Sequence, residues 1–73
     1  MPEIKIVTEV AGRICATPAQ VGGTVANGDE IAVVEAMKME IPVCTPAAGT
    51  LTSLLVEIDD LVAEGQTIAI VAS

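Results

Sequence analysis

Six consecutive residues carry the side chains most able to do chemistry: Glu35-Ala36-Met37-Lys38-Met39-Glu40. Lys38 is one of only three basic residues, with Lys5 and Arg13, against ten acids. A lysine can serve in two ways. As a nucleophile it needs burial or a cationic neighbour to lower its pKa. As a charged, exposed amine it can be the substrate of an outside enzyme. The neighbours here are Glu35 and Glu40, which favour the charged form where they come close. Lys38 is therefore a poor Schiff-base former and a better target for modification. Met37 and Met39 are flexible and apolar, which suits adaptable recognition by a partner. The plain alternative is a solvated lysine between two core-filling methionines.

The remaining reactive side chains do not assemble. There is no histidine, and Cys15 and Cys44 are too far apart for a CxxC pair. A zinc site, a Ser-His pair and a Cys-His pair are thereby disfavoured. Asp59 and Asp60 are adjacent, but no further acid clusters with them to suggest a metal pair. The chain reads as non-catalytic, with no catalytic residue and no metal ligand to assign.

Composition narrows the partners. The net charge is −7, which argues against phosphate backbones and anionic membranes. It suits transient meetings with basic protein surfaces. The chain has no aromatic residue, so it offers no platform for base stacking. No apolar run approaches the roughly 20 residues of a membrane span. The start "MPEIKI" lacks the basic and apolar regions of a signal peptide. A cytoplasmic protein with two reduced thiols is expected, monomeric in isolation.

The elements that must position Lys38 are strands. Ala, Met, Lys and Glu favour a helix locally. The flanks "EIAVV" and "EIPVC" are rich in β-branched residues, as are "EIKIV", "TLTSLLVEI" and "TIAIVAS". Turn signals separate them at Gly12, "TPA", "GG", Asn27-Gly28-Asp29, "TPAAG" and Glu64-Gly65-Gln66. Short strands at this spacing indicate a β-sandwich or barrel. Seventy-three residues make one small domain, burying only roughly 60% of the unfolded surface. With no aromatics, its core must be aliphatic and thin.

The sequence also repeats. Residues 3–36 lie over residues 40–73 at an offset of 37 with no gap, and 11 of 34 positions are identical. The pairs include Glu3/Glu40, Thr8/Thr45, Gly12/Gly49, Gly28/Gly65 and Ile31/Ile68. Apolar exchanges such as Ile6/Val43 and Ile14/Leu51 add to them. Neither half can bury its own apolar face, so the halves must pack together. Two small sheets related by an approximate two-fold are expected. Met37, Lys38 and Met39 are the residues left between the repeats. Lys38 is thus expected at the tip of a tight turn, with Met1 and Ser73 toward the other end.

Glu35-Ala36-Met37-Lys38-Met39 resembles the attachment motif of biotinyl domains, whose hallmark is Ala-Met-Lys-Met after an acidic residue. The resemblance covers nearly the whole chain. Gly12 and Gly49 match the family's turn glycines near the start of each half. "ANGDEIAVVEAMKME" matches its approach strand and "VAEGQTIAIVAS" its closing strand. The resemblance implies an all-β fold, a flattened barrel or sandwich of two four-stranded sheets with a quasi-two-fold. It implies covalent biotin on Lys38, attached by a biotin protein ligase. Glu35, Ala36, Met37, Met39 and Glu40 would be read by the ligase or later partners. Those partners would be a biotin carboxylase and a carboxyltransferase. The acceptor would be an acyl-CoA, with acetyl-CoA expected, as in the acetyl-CoA carboxylase of fatty acid biosynthesis. The domain would make no bond itself and would supply effective concentration. Amide formation would take the net charge from −7 to −8.

Departures from the family pattern are local. "EVA" precedes Gly12 where many members carry Pro-Met-Pro. The segment between Gly12 and Gly28 is too short for the thumb of some carriers, so the chain resembles the thumbless type. Asp59 stands where Gly22 stands in the first half, at a place often held by glycine. A left-handed Asp59 would cost roughly 1 kcal/mol relative to glycine. Two other readings remain open. Lipoyl domains share the fold but usually carry Asp-Lys-Ala at the turn. An unmodified β-sandwich interaction module would have no use for the tetrapeptide. Residues 1–73 are expected to form a single domain, and the "MPEIKI" start and "VAS" end suggest a free-standing carrier.

Overall fold

The structure, a computed structural model, describes residues 2–73. Met1 and its expected place lie outside the described residues. Eight strands follow one another: β1 (Glu3–Val7), β2 (Gly12–Ala16), β3 (Thr24–Val25), β4 (Glu30–Ala36), β5 (Met39–Cys44), β6 (Gly49–Leu54), β7 (Leu61–Val62) and β8 (Thr67–Ala72). They form two antiparallel four-stranded sheets, ordered β1-β8-β6-β3 and β5-β4-β2-β7. The architecture is the expected all-β sandwich, and among the described residues no ladder joins the sheets into a closed barrel.

Each sheet draws strands from both halves of the chain. Moving every strand by 37 residues converts one strand order into the other. The backbone hydrogen bonds follow the same rule. Gly28 N–H donates to the Thr45 carbonyl at 2.8 Å, and Gly65 N–H to the Thr8 carbonyl at 2.8 Å. The two threonines are almost fully buried, and each hydroxyl donates at 2.7 Å to the carbonyl two residues on. Their hydroxyls are thus satisfied inside the core, as burial requires.

The core between the sheets is aliphatic. Ile14, Ile31, Val34, Leu51, Ile68 and Val71 are wholly buried. Ala32 and Ala69 are also fully buried and keep the layer thin. Packing of this aliphatic layer decides against the local helix preference of residues 35–40, because only the strand places Val34 and Val43 inside.

Three sequence expectations shift in detail. Gly12 and Gly49 are not turn residues but the first residues of β2 and β6. A Cβ on Gly12 would collide with the Glu35 carbonyl oxygen, and one on Gly49 with that of Ala72. These glycines allow close strand approach rather than a bend. The "TLTSLLVEI" run does not stay a strand, since β6 ends at Leu54. Strands β3 and β7 are two residues each, too short for alternation to reveal. At Asp59 the expectation matches: its φ is 80°, against 89° at Gly22.

Ser73 N–H donates to the Pro2 carbonyl at 3.1 Å, which brings the outer ends of β1 and β8 together. The inner ends of β1 and β5 meet instead, since Val7, Thr8, Val43 and Cys44 line one groove. From there the two strands lead apart along a molecule 36 Å long and 19 by 18 Å across. The β1–β8 end and the β4–β5 turn therefore lie toward opposite ends of the long axis.

Candidate functional site

The β4–β5 hairpin carries Lys38. Its ladder is closed by the facing pair Ala36 and Met39, preceded by Glu35 and Glu40, then Val34 and Ile41. Only Met37 and Lys38 remain for the turn. Their φ values are 52° and 65°, both left-handed. Two successive left-handed residues are the mark of a type I′ turn, whose twist matches that of the flanking strands. Such turns usually take Asn-Gly. Met and Lys there cost roughly 1–2 kcal/mol each. The ladder and the buried Val34 and Val43 impose the conformation.

The turn projects its side chains. Met37 is 95% exposed and Met39 64%, and Lys38 is exposed as well. Neither methionine fills the core. Lys38 forms no ion pair among the described residues. Nothing in the hairpin buries the amine or sets a second cation beside it, as a lysine nucleophile would require.

A charged row lies one pair behind the turn. Glu35 and Glu40 face each other directly, a like-charge pair that is unfavourable by itself. Arg13 faces Glu35 from β2 and donates from Nη2 to its Oε1 at 2.9 Å. From Nη1 it donates to Asp59 Oδ1 at 2.6 Å. The Glu35 hydrogen bond, then that of Asp59, raises the Arg13 pKa above its already high value, so it stays charged. Arg13 thus neutralises one side of the Glu35–Glu40 pair. It also ties the hairpin to the 55–60 loop through left-handed Asp59. The sequence reading did not single out Arg13. The available signal was its place next to Gly12, which sets it across from β4. Asp59 serves this ion pair, and no group of three metal-ligating side chains forms among the described residues.

A family profile described as biotin-requiring enzyme, of the biotin/lipoyl attachment type, matches residues 1–71. The chain belongs to the biotin-requiring-enzyme family. Biotin is the cofactor of that family. A search of curated proteins found no match. Among solved structures, the biotin-family domain is similar to part of the urea carboxylase of Kluyveromyces lactis. The TM-score is 0.93 at 29% identity, over 99% of this chain and 6% of that one. It is also similar to part of a single-chain, multi-domain long-chain acyl-CoA carboxylase. There the TM-score is 0.87 at 26% identity, over 93% of this chain and 7% of the other. The domain therefore spans a small fraction of the enzymes it resembles.

The geometry suits a covalently held cofactor. A tethered group needs an anchor that is exposed, fixed in backbone and free of competing partners. The described turn offers that at one position, on two residues held left-handed by a paired ladder.

Proposed function

We propose that this domain is a biotin carboxyl carrier, with Lys38 as the attachment site. The observation that carries the reading is Lys38 itself: exposed, left-handed, and between two outward methionines on a two-residue turn. A biotin protein ligase would join the Lys38 amine to the biotin carboxyl group with loss of water. When bound, the cofactor supplies a nitrogen that takes up and releases a carboxyl group. The chain supplies the rest. The strained turn holds the anchor away from the sandwich, and the ladder fixes its direction. Met37, Met39, Ala36, Glu35 and Glu40 form the surface that the ligase and later partners meet. Under this reading the domain acts as a carrier, which the family match and the likeness to small parts of larger carboxylases support.

The partners under this reading are a biotin carboxylase and a carboxyltransferase, within one chain or across several. Tethering raises the effective concentration of the cofactor at both sites. The acceptor we favour is an acyl-CoA, with acetyl-CoA first. The likeness to a long-chain acyl-CoA carboxylase supports the acyl-CoA class. Urea is the second reading, on the likeness to a urea carboxylase. Residues 1–73 would act as a single carrier domain of the thumbless type, in the cytoplasm.

The test is co-expression with a biotin protein ligase and measurement of intact mass. The expected gain equals biotin minus water, and it disappears in Lys38→Ala. A gain with a lipoate ligase in place of the biotin ligase would overturn the reading in favour of a lipoyl carrier. No gain with either enzyme would leave an unmodified interaction module.

A further inference from the structure

The internal two-fold gives this domain its own control. On one sheet, Thr24, Thr50, Ala72 and Glu3 form a cross-strand row over β3, β6, β8 and β1. The residues 37 positions away are Leu61, Arg13, Glu35 and Glu40. They form the matching row over β7, β2, β4 and β5. The two rows occupy the same place in the fold, yet their chemistry differs. The first carries two threonines, an alanine and one edge carboxylate. The second carries an apolar side chain that is 79% exposed, a guanidinium and two carboxylates, with Asp59 joined to Arg13. Ile58, in the same loop as Asp59, is 56% exposed. The fold does not require this composition, because its twin row builds the same strands without it.

The second row is also placed differently in function. It ends at Glu35 and Glu40, one ladder pair behind the Lys38 turn. Three strand spacings separate Leu61 from Glu40, roughly 14 Å. That lies inside the footprint of an ordinary protein interface of about 800 Å² per partner.

We propose that this outer face, from Leu61 through Arg13 and Glu35 to Glu40, is the docking surface for the ligase that modifies Lys38. The proposal rests on Lys38 being the attachment site. It assigns the ligase because an enzyme acting on the amine itself must close to within one lysine side chain of the turn. Enzymes acting at the far end of a loaded arm need meet only the turn and its flanking residues, not the row as far as Leu61. Charge complementarity fixes the partner's chemistry: an apolar recess for Leu61 and Ile58, with lysine or arginine facing Glu40 and Asp59. Arg13 is a positioning residue, holding Glu35 aside so that Glu40 is the carboxylate presented.

The experiment uses the whole chain and a purified biotin protein ligase, with initial rates measured against domain concentration. Leu61→Thr and Arg13→Thr install the residues that the twin row already carries. Each is expected to raise KM for the domain about 10-fold with kcat unchanged. Thr24→Leu, the reverse exchange on the other sheet, is expected to leave both constants as they are. The wild-type KM should climb between about 20 and 300 mM salt, and Glu40→Gln should flatten that climb. Should Arg13→Thr fail to fold, Leu61→Thr decides alone, since so exposed a side chain contributes little to folding. A wild type that accepts biotin while Leu61→Thr keeps the wild-type KM overturns the docking surface and leaves the attachment site standing. A wild type that accepts no biotin overturns both.

Discussion

Met37 and Lys38 hold backbone conformations that neither side chain prefers. The strain is local, and what holds it is the ladder behind. Replacing the pair by Asn-Gly should therefore stabilise the fold while removing the amine. We expect Met37→Asn/Lys38→Gly to raise the unfolding free energy by about 2 kcal/mol. Urea melts would show a higher midpoint at unchanged slope, and a lower midpoint would mean that the turn is not strained. Under the proposed function, the turn trades stability for a modifiable residue, as strained functional sites commonly do. The lysine and its methionines were legible in the sequence, because position and motif agree there. Arg13 was not, since its role depends on β2 pairing with β4 over 22 residues of separation. Composition showed only that it was one of three cations.

At the level of elements, Gly12 and Gly49 were visible as a matched pair, but their purpose was not. Sequence marks a glycine as a place where the chain can bend. Here each lets a neighbouring strand come close, Glu35 at one and Ala72 at the other. Gly12→Ala and Gly49→Ala should each destabilise by about 1–3 kcal/mol. They should differ in a second readout. Gly12→Ala presses on the strand that ends in the turn, so it should also raise the ligase KM. Gly49→Ala presses on β8, remote from Lys38, and should leave KM alone. Equal effects on KM would show that the glycines act only through stability. Strands β1, β4, β5 and β8 were readable because each holds a β-branched run between turn signals. Strands β3 and β7 were not, because two residues cannot show an alternation, and they exist through their pairing with β6 and β2.

For the molecule as a whole, the margin is thin. A domain of this size rests on roughly 3–5 kcal/mol. Among the described residues, its buried core holds nothing larger than Ile or Leu. Ile31→Val should cost about 0.5–1.5 kcal/mol and leave a folded protein. Ile31→Ala should cost about 2–5 kcal/mol and leave much of the population unfolded at 25 °C. Circular dichroism in urea would separate the two. Ile68, its symmetry mate and equally buried, should respond alike. The repeat made this two-fold core readable at the outset. It could not show that each sheet takes strands from both halves. That follows from pairing between β1 and β8, and between β2 and β7, which only the folded chain displays.

The contact between Ser73 and Pro2 has a consequence for topology. It sits where the offset of 37 places the Ala36–Met39 pair in the other half. One residue inserted between Ser73 and Met1 would join the chain into a ring of 74 residues, two repeats of 37. The junction would then need only a two-residue turn, the inserted residue and residue 1. Glycine and asparagine there would close it without strain. Methionine and lysine would instead copy the turn at the opposite pole, up to 36 Å away. That lysine would stand at the end of the row Thr24, Thr50, Ala72 and Glu3, so the ligase should load it far more slowly than Lys38.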